Sequence, residues 1–86
     1  MNMDYMAFET IARETVADYT NRAALDDVVS PNDVYIVWQC KTLQNWKALA
    51  ATSLPDGLYF EITYNGDKGE LYLDAYRKEA NEVTKL

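Results

Sequence analysis

Histidine is absent from these 86 residues, and cysteine occurs once. Without histidine the commonest general base is missing, along with the usual partner of a Ser or Cys nucleophile. A structural zinc site needs four Cys or His ligands, and one cysteine cannot supply it. Nor can one cysteine form an intramolecular disulfide, which fits a reducing compartment. Basic residues are also scarce: 8 Lys and Arg stand against 14 Asp and Glu, a net charge of -6. Clustered Lys and Arg are what a phosphate backbone requires, so direct nucleic-acid binding is not expected. No apolar run approaches the roughly 20 residues that cross a bilayer. The N-terminus carries Asp4 and Glu9 where a signal peptide would be basic. A cytoplasmic protein with no membrane association is the expectation.

What is present suffices for one compact core: 49% of the residues are hydrophobic and 13% aromatic. The length is that of a single domain, residues 1–86, near the small end of what folds without a staple. Asn2–Leu25 reads as an amphipathic helix, with Phe8, Ile11, Ala12, Val16, Tyr19 and Ala23 on one stripe at three- and four-residue spacing. Asn2 or Asp4 can cap it, and Asp18–Arg22 is a favourable i,i+4 pair. The helix should fade across Asp26–Asp33, where Ser30-Pro31-Asn32-Asp33 signals a turn.

Four strand candidates follow. Val34–Thr42 is rich in β-branched and aromatic residues. Its Val34/Ile36/Trp38/Cys40 face is the preferred core face, because the Tyr35/Val37/Gln39/Lys41 face becomes polar sooner. On that reading Cys40 is a buried structural thiol. Leu43-Gln44-Asn45 reads as a tight turn. Trp46–Thr52 reads as a second strand rather than a helical turn, despite its alanines. After the reversal at Pro55-Asp56-Gly57 comes the clearest signal in the chain. Leu58–Tyr64 and Glu70–Tyr76 alternate with period two around Asn65-Gly66-Asp67-Lys68-Gly69, whose glycines tolerate positive φ. Residues 77–86 form a charged tail, read either as a short helix or as a frayed end, in which only Val83 and Leu86 could dock. The predicted fold is α+β: one N-terminal helix on a four-stranded antiparallel meander (α-β-β-β-β) in two layers, with the sheet over residues 34–76.

Phe60, Ile62, Leu71 and Leu73 are expected to hold the helix, which turns Tyr59, Tyr72 and Tyr76 to the opposite sheet face. Tyr35 joins them if Trp38 is buried. With Glu61 and Asp74, which should oppose each other on adjacent strands, these residues make an acidic aromatic surface. Tyrosine gives contact area at low entropy cost, so Tyr35, Tyr59, Glu61, Tyr72, Asp74 and Tyr76 are the candidate protein-binding surface, for a partner or a second copy. The same face could be ordinary cross-strand packing on a solvated sheet. The alternative site lies at the Lys41–Trp46 turn, where Lys41, Asn45 and Trp46 offer a charge, an amide and a stacking plane to a small ligand or nucleotide. Asp26, Asp27, Asp56, Asp67 and Glu70 are further carboxylates, but their spacing matches no metal-binding loop. No catalytic residue, metal or cofactor is expected.

Cys40-Lys41-Thr42-Leu43-Gln44-Asn45 and, within Asp56–Tyr76, the words Asp56-Gly57, Thr63-Tyr64-Asn65-Gly66-Asp67 and Tyr72-Leu73-Asp74-Ala75-Tyr76 are more than turn and strand chemistry demands. Over Val34–Glu79 the chain resembles a family of short proteins of unknown function from phages and prophages of Gram-positive bacteria, chiefly lactobacilli and their relatives. The resemblance implies an accessory protein made inside a bacterial host and acting by binding a host or phage protein, antiviral defence components included. It implies no catalytic residues.

Overall fold

The computed structural model describes residues 3–24 and 28–86. Helix α1 spans Tyr5–Ala24, and a 3-10 turn at Pro31–Asp33 leads into the strands. These are β1 (Val34–Thr42), β2 (Asn45–Thr52), β3 (Leu58–Asn65) and β4 (Glu70–Arg77). The sheet order is β1-β2-β3-β4, antiparallel throughout, so the α+β meander read from the pattern is the fold. Connections this short leave consecutive strands no choice but to pair. Residues 78–86 carry no regular secondary structure. No helix among the described residues is long and apolar enough to cross a membrane.

Asp4 caps α1: its Oδ1 accepts from the Ala7 amide at 2.8 Å, and its carbonyl accepts from the Phe8 amide at 2.9 Å. Asn2, the other candidate cap, and Asp26 and Asp27 lie outside the described residues. The Asp18–Arg22 pair forms at 3.0 Å on the exposed side. The buried row is Phe8, Ala12, Val16, Ala17 and Thr20, while Ile11 and Tyr19 are half-buried and Ala23 is exposed. Steps of four residues drift around a helix, so the buried row winds as it runs along α1. An average stripe drawn along the helix axis therefore misses Ala17 and Thr20 and wrongly includes Ala23.

Three side chains tie the helix to the segments that follow it. Arg13 pairs with Glu9 at 2.8 Å and donates to the Val34 carbonyl at the start of β1. Gln39 Nε2 donates to the Tyr5 carbonyl at 2.9 Å. Asn21 serves the segment before the 3-10 turn: its Oδ1 accepts from the Val28 and Val29 amides, both at 2.9 Å, and its Nδ2 donates to the Val29 carbonyl. In that turn Ser30 and Asp33 hold each other in a capping box.

The core is Phe8, Ala12, Val16 and Ala17 from α1, with Val29, Val34, Trp46, Ala48, Ala50, Phe60 and Ile62 beneath and beside them. Ala48 and Ala50 of β2 lie fully buried on the helix side, and their small side chains let the helix approach. This is why an alanine-rich segment of helical propensity is a strand here. At the edge the cover thins: Leu73, only partly buried, packs against the core, whereas Leu71, expected to do the same, is 37% exposed and does not. The helix does not reach across to β4.

The larger correction concerns β1. Ile36 pairs with Ala50 and Trp38 with Leu49, so Val37 is an extra residue in a β-bulge. Alternation restarts after it. Val34 and Ile36 face the helix before the bulge, and Gln39 and Lys41 take that side after it. Trp38 and Cys40, expected in the core, lie on the opposite face; Trp38 is 44% exposed and Cys40 is exposed. An inserted residue in a period-two strand exchanges the two faces for everything downstream.

The turns also differ in detail. The first hairpin turn is Leu43-Gln44, with Asn45 already the first residue of β2, and Leu43 sits at φ 56°. Gly69 takes φ 65°, as its place in the turn between β3 and β4 requires. Gly66 is needed for another reason: a Cβ there would lie 2.0 Å from the Gln44 carbonyl oxygen. The two hairpin tips press together at this point, and Asn45 Oδ1 accepts from the Gly66 amide at 3.1 Å. Gly66→Ala is therefore expected to destabilise the fold by about 1–3 kcal/mol through forced backbone displacement. Leu43→Gly should stabilise it by up to about 1 kcal/mol by releasing a left-handed leucine. Urea denaturation of the two variants measures both signs.

Candidate functional site

Across its outer face the sheet places side chains in rows. One runs Trp38, Leu49, Glu61, Asp74, and the next runs Cys40, Lys47, Thr63, Tyr72. Tyr35 opposite Ala51, and Tyr59 opposite Tyr76, belong to a third. All six residues predicted for the binding surface lie on this one face. Among the large ones, Tyr35, Val37 and Trp38 are 57%, 61% and 44% exposed, and Tyr59, Tyr72 and Tyr76 are each about two-fifths exposed. Period two put the tyrosines here. The bulge adds Trp38, which alternation had assigned to the core face; Val37 was already placed beside Tyr35 by the alternating pattern. The available signal was the break of pattern at Val37-Trp38, two consecutive large apolar residues followed by polar Gln39 and Lys41.

The tyrosines are held rather than loose. Tyr59 and Tyr76 stack with ring centroids 5.2 Å apart and planes 19° from parallel. Tyr72 donates its hydroxyl proton to Glu70 at 2.7 Å. At the centre Lys47 reaches diagonally to Glu61, 3.1 Å away, while Asp74 stands opposite Glu61 on β4. One cation thus answers two carboxylates, and the face stays acidic. The acids act on the phenols: the accepting Glu70 carboxylate, helped by its charge, pushes the Tyr72 pKa above 10, and the charges of Glu61 and then Asp74 raise that of Tyr76.

The alternative ligand site does not assemble as a stacking pocket. Trp46 is buried, stacked on Phe8 with centroids 5.6 Å apart and met edge-on by Tyr5 at 6.2 Å. Asn45 spends its carbonyl on Gly66. Lys41 opposes Trp46 on the helix side of the sheet and is exposed. A depression of about 240 Å³ does adjoin the turn, lined by Cys40, Thr42, Asn45, Trp46, Lys47 and Thr63. The Trp46 ring itself is taken up by Phe8 and Tyr5 on the helix side. Among the described residues, no three Asp, Glu or Cys side chains converge as a metal site.

Residues 9–86 match DUF6275, a family of unknown function, and the chain belongs to that family. No curated protein and no solved structure matches it.

Because the Tyr72 and Tyr76 pKa values are raised on folding, the folded state holds these protons longer than the unfolded chain. Their contribution to stability is present below pH 10 and is lost as pH rises through the folded values. Ring-carbon NMR titration should show Tyr72 moving back toward 10 in Glu70→Gln, and Tyr76 doing so in Glu61→Gln. Unmoved titrations would mean that the acids do not control these phenols.

Proposed function

We propose that this protein is a non-enzymatic accessory protein of phage or prophage origin that acts in the host cytoplasm by binding a host or phage protein through its outer sheet face. The observation that carries the reading is the gathering of Tyr35, Val37, Trp38, Tyr59, Tyr72 and Tyr76, all more than a third exposed, on one side of one sheet. Aromatic residues so arranged are the usual anchors of protein interfaces. The phage setting rests on the resemblance of Cys40–Asn45 and of the words within Asp56–Tyr76, and antiviral defence components are one class of partner it implies.

The chemistry of the face selects the partner further. Glu61, Asp74 and Glu70 lie among the aromatics, with Lys47 the cation paired to Glu61, and the whole chain carries -6. The matching surface is apolar at its centre and basic around it, and electrostatic steering speeds that encounter. A second copy fits this face poorly, since stacking two such faces would confine four central carboxylates between them.

The test is capture from host lysate by tagged protein, wild type against the Tyr35→Ala/Tyr59→Ala variant. The reading expects a partner retained by the wild type, weakened by raised salt, and bound about tenfold or more less tightly by the variant, as loss of two anchors implies. Identical capture by both proteins would end it.

A further inference from the structure

The two edges of the sheet are not alike. Strand β1 is broken by the Val37 bulge, a common device against edge-to-edge pairing, and its first carbonyl is taken by Arg13. Strand β4 has no bulge and no proline, and it pairs regularly with β3 over its whole eight-residue length. The Lys78 amide donates to the Gly57 carbonyl at 3.0 Å, which sets the phase of that ladder. Antiparallel strands alternate, so Glu70, Tyr72, Asp74 and Tyr76 bond to β3, while Leu71, Leu73, Ala75 and Arg77 turn their amides and carbonyls outward. Beyond Lys78, no backbone hydrogen bond from the tail reaches that edge. The outward-bonding residues are also those whose side chains lie on the helix side beyond the reach of α1. Leu71 and Ala75 are exposed, Leu73 is partly buried, and a hollow of about 390 Å³ opens between Leu71, Tyr64, Ile11 and Met3.

We propose that β4 pairs antiparallel with β4 of a second copy across a two-fold axis, joining two sheets into one of eight strands. The occupant is identified by self-complementarity. A two-fold normal to the sheet keeps each face on its own side, so only alternate registers are available. With Asp74 on the axis, Asp74 would oppose its own copy, and with Tyr72 on the axis, Glu70 would oppose Asp74. Both place like charges directly across the pair, which is unfavourable. With Leu73 on the axis, Leu73 meets Leu73, Leu71 meets Ala75, Tyr72 meets Asp74 and Glu70 meets Tyr76. No like charges oppose, and nearly the whole strand is used. The two helices then flank a trough floored by Leu71, Leu73 and Ala75 of both copies.

Pairing one strand buries less than the roughly 1,600 Å² of a standard interface, so the dimer is concentration-dependent. Each chain carries -6, so added salt screens repulsion and strengthens the dimer. That sign is opposite to the one expected for capture of a basic partner.

The test is sedimentation velocity over a concentration series in low and high salt, with cross-linking to fix the register. Wild type should move from 9.9 kDa toward twice that mass as concentration rises, and at lower concentration in high salt. Ala75→Pro removes an edge-facing amide that β3 does not use, so it should stay monomeric with an unchanged circular dichroism spectrum. In a Cys40→Ser background, Leu73→Cys should form a covalent dimer on oxidation and Asp74→Cys should not. A wild type that stays monomeric throughout would overturn the proposal, as would Asp74→Cys cross-linking as readily as Leu73→Cys. A dimer lost in Tyr35→Ala/Tyr59→Ala but kept in Ala75→Pro would also overturn it, placing self-association on the outer face. The dimer readouts do not depend on lysate capture, so either proposal can fail alone.

Discussion

A single helix is narrower than the sheet it has to cover. An α-helix with its side chains is about 10–12 Å across, and neighbouring strands lie about 4.8 Å apart. One helix therefore shields two or three strands, and this chain has four. Phe8, Ala12, Val16 and Ala17 close over β1, β2 and the inner side of β3, where Ala48, Ala50, Phe60 and Ile62 are fully buried. Strand β4 is held by its ladder to β3 and by little else. Its leucines are left partly in solvent, and among the described residues no element covers the other face of the sheet. The surfaces proposed for recognition and for self-pairing both follow from that shortfall.

The protein uses polar side chains where a larger domain would use core. Arg13, Gln39 and Asn21 each bond a backbone group of another segment, so three positions that look like solvent-facing helix or strand residues act as fasteners. Arg77 does the same from the end of β4, donating to the Asp56 carbonyl at 2.6 Å. Asn45 and Gly66 lock the two hairpin tips together, which keeps the strands in register and the outer rows aligned. A surface built of stacked and hydrogen-bonded tyrosines on such a frame is pre-organised, and a partner meeting it has little side-chain ordering left to accomplish.

Charge gives this surface its direction. One lysine cannot neutralise Glu61 and Asp74 together, and the Tyr76 phenol beside them holds its proton more tightly as a result, as Tyr72 does through its bond to Glu70. Aromatic sheet faces that stack nucleic-acid bases work within basic surroundings. Here the surroundings are carboxylates. On the proposed reading, the sign of its neighbours turns the same stacking chemistry toward proteins.

How much of this was legible beforehand depended on the range of each interaction. Alternation in Leu58–Asn65 and Glu70–Arg77 sorts residues by face through strand geometry alone, so Tyr59, Tyr72, Tyr76, Glu61 and Asp74 were placed correctly from the chain. Asp4 at the helix start, the turn at Ser30–Asp33 and the meander order are equally local, set by side chains acting within a few residues. Three features required the folded molecule. The bulge at Val37 depends on how β1 meets β2 under the helix, and it moved Trp38 and Cys40 from the expected core to the outer face. The burial of Trp46 depends on Phe8 and Tyr5, far earlier in the chain. The exposure of Leu71 depends on where a helix of finite width comes to rest. The chain by itself determined which residues share a face of each regular strand, because period two is built into the backbone. Only the tertiary structure decided which face was covered and which edge was left open, because cover is a property of two elements meeting.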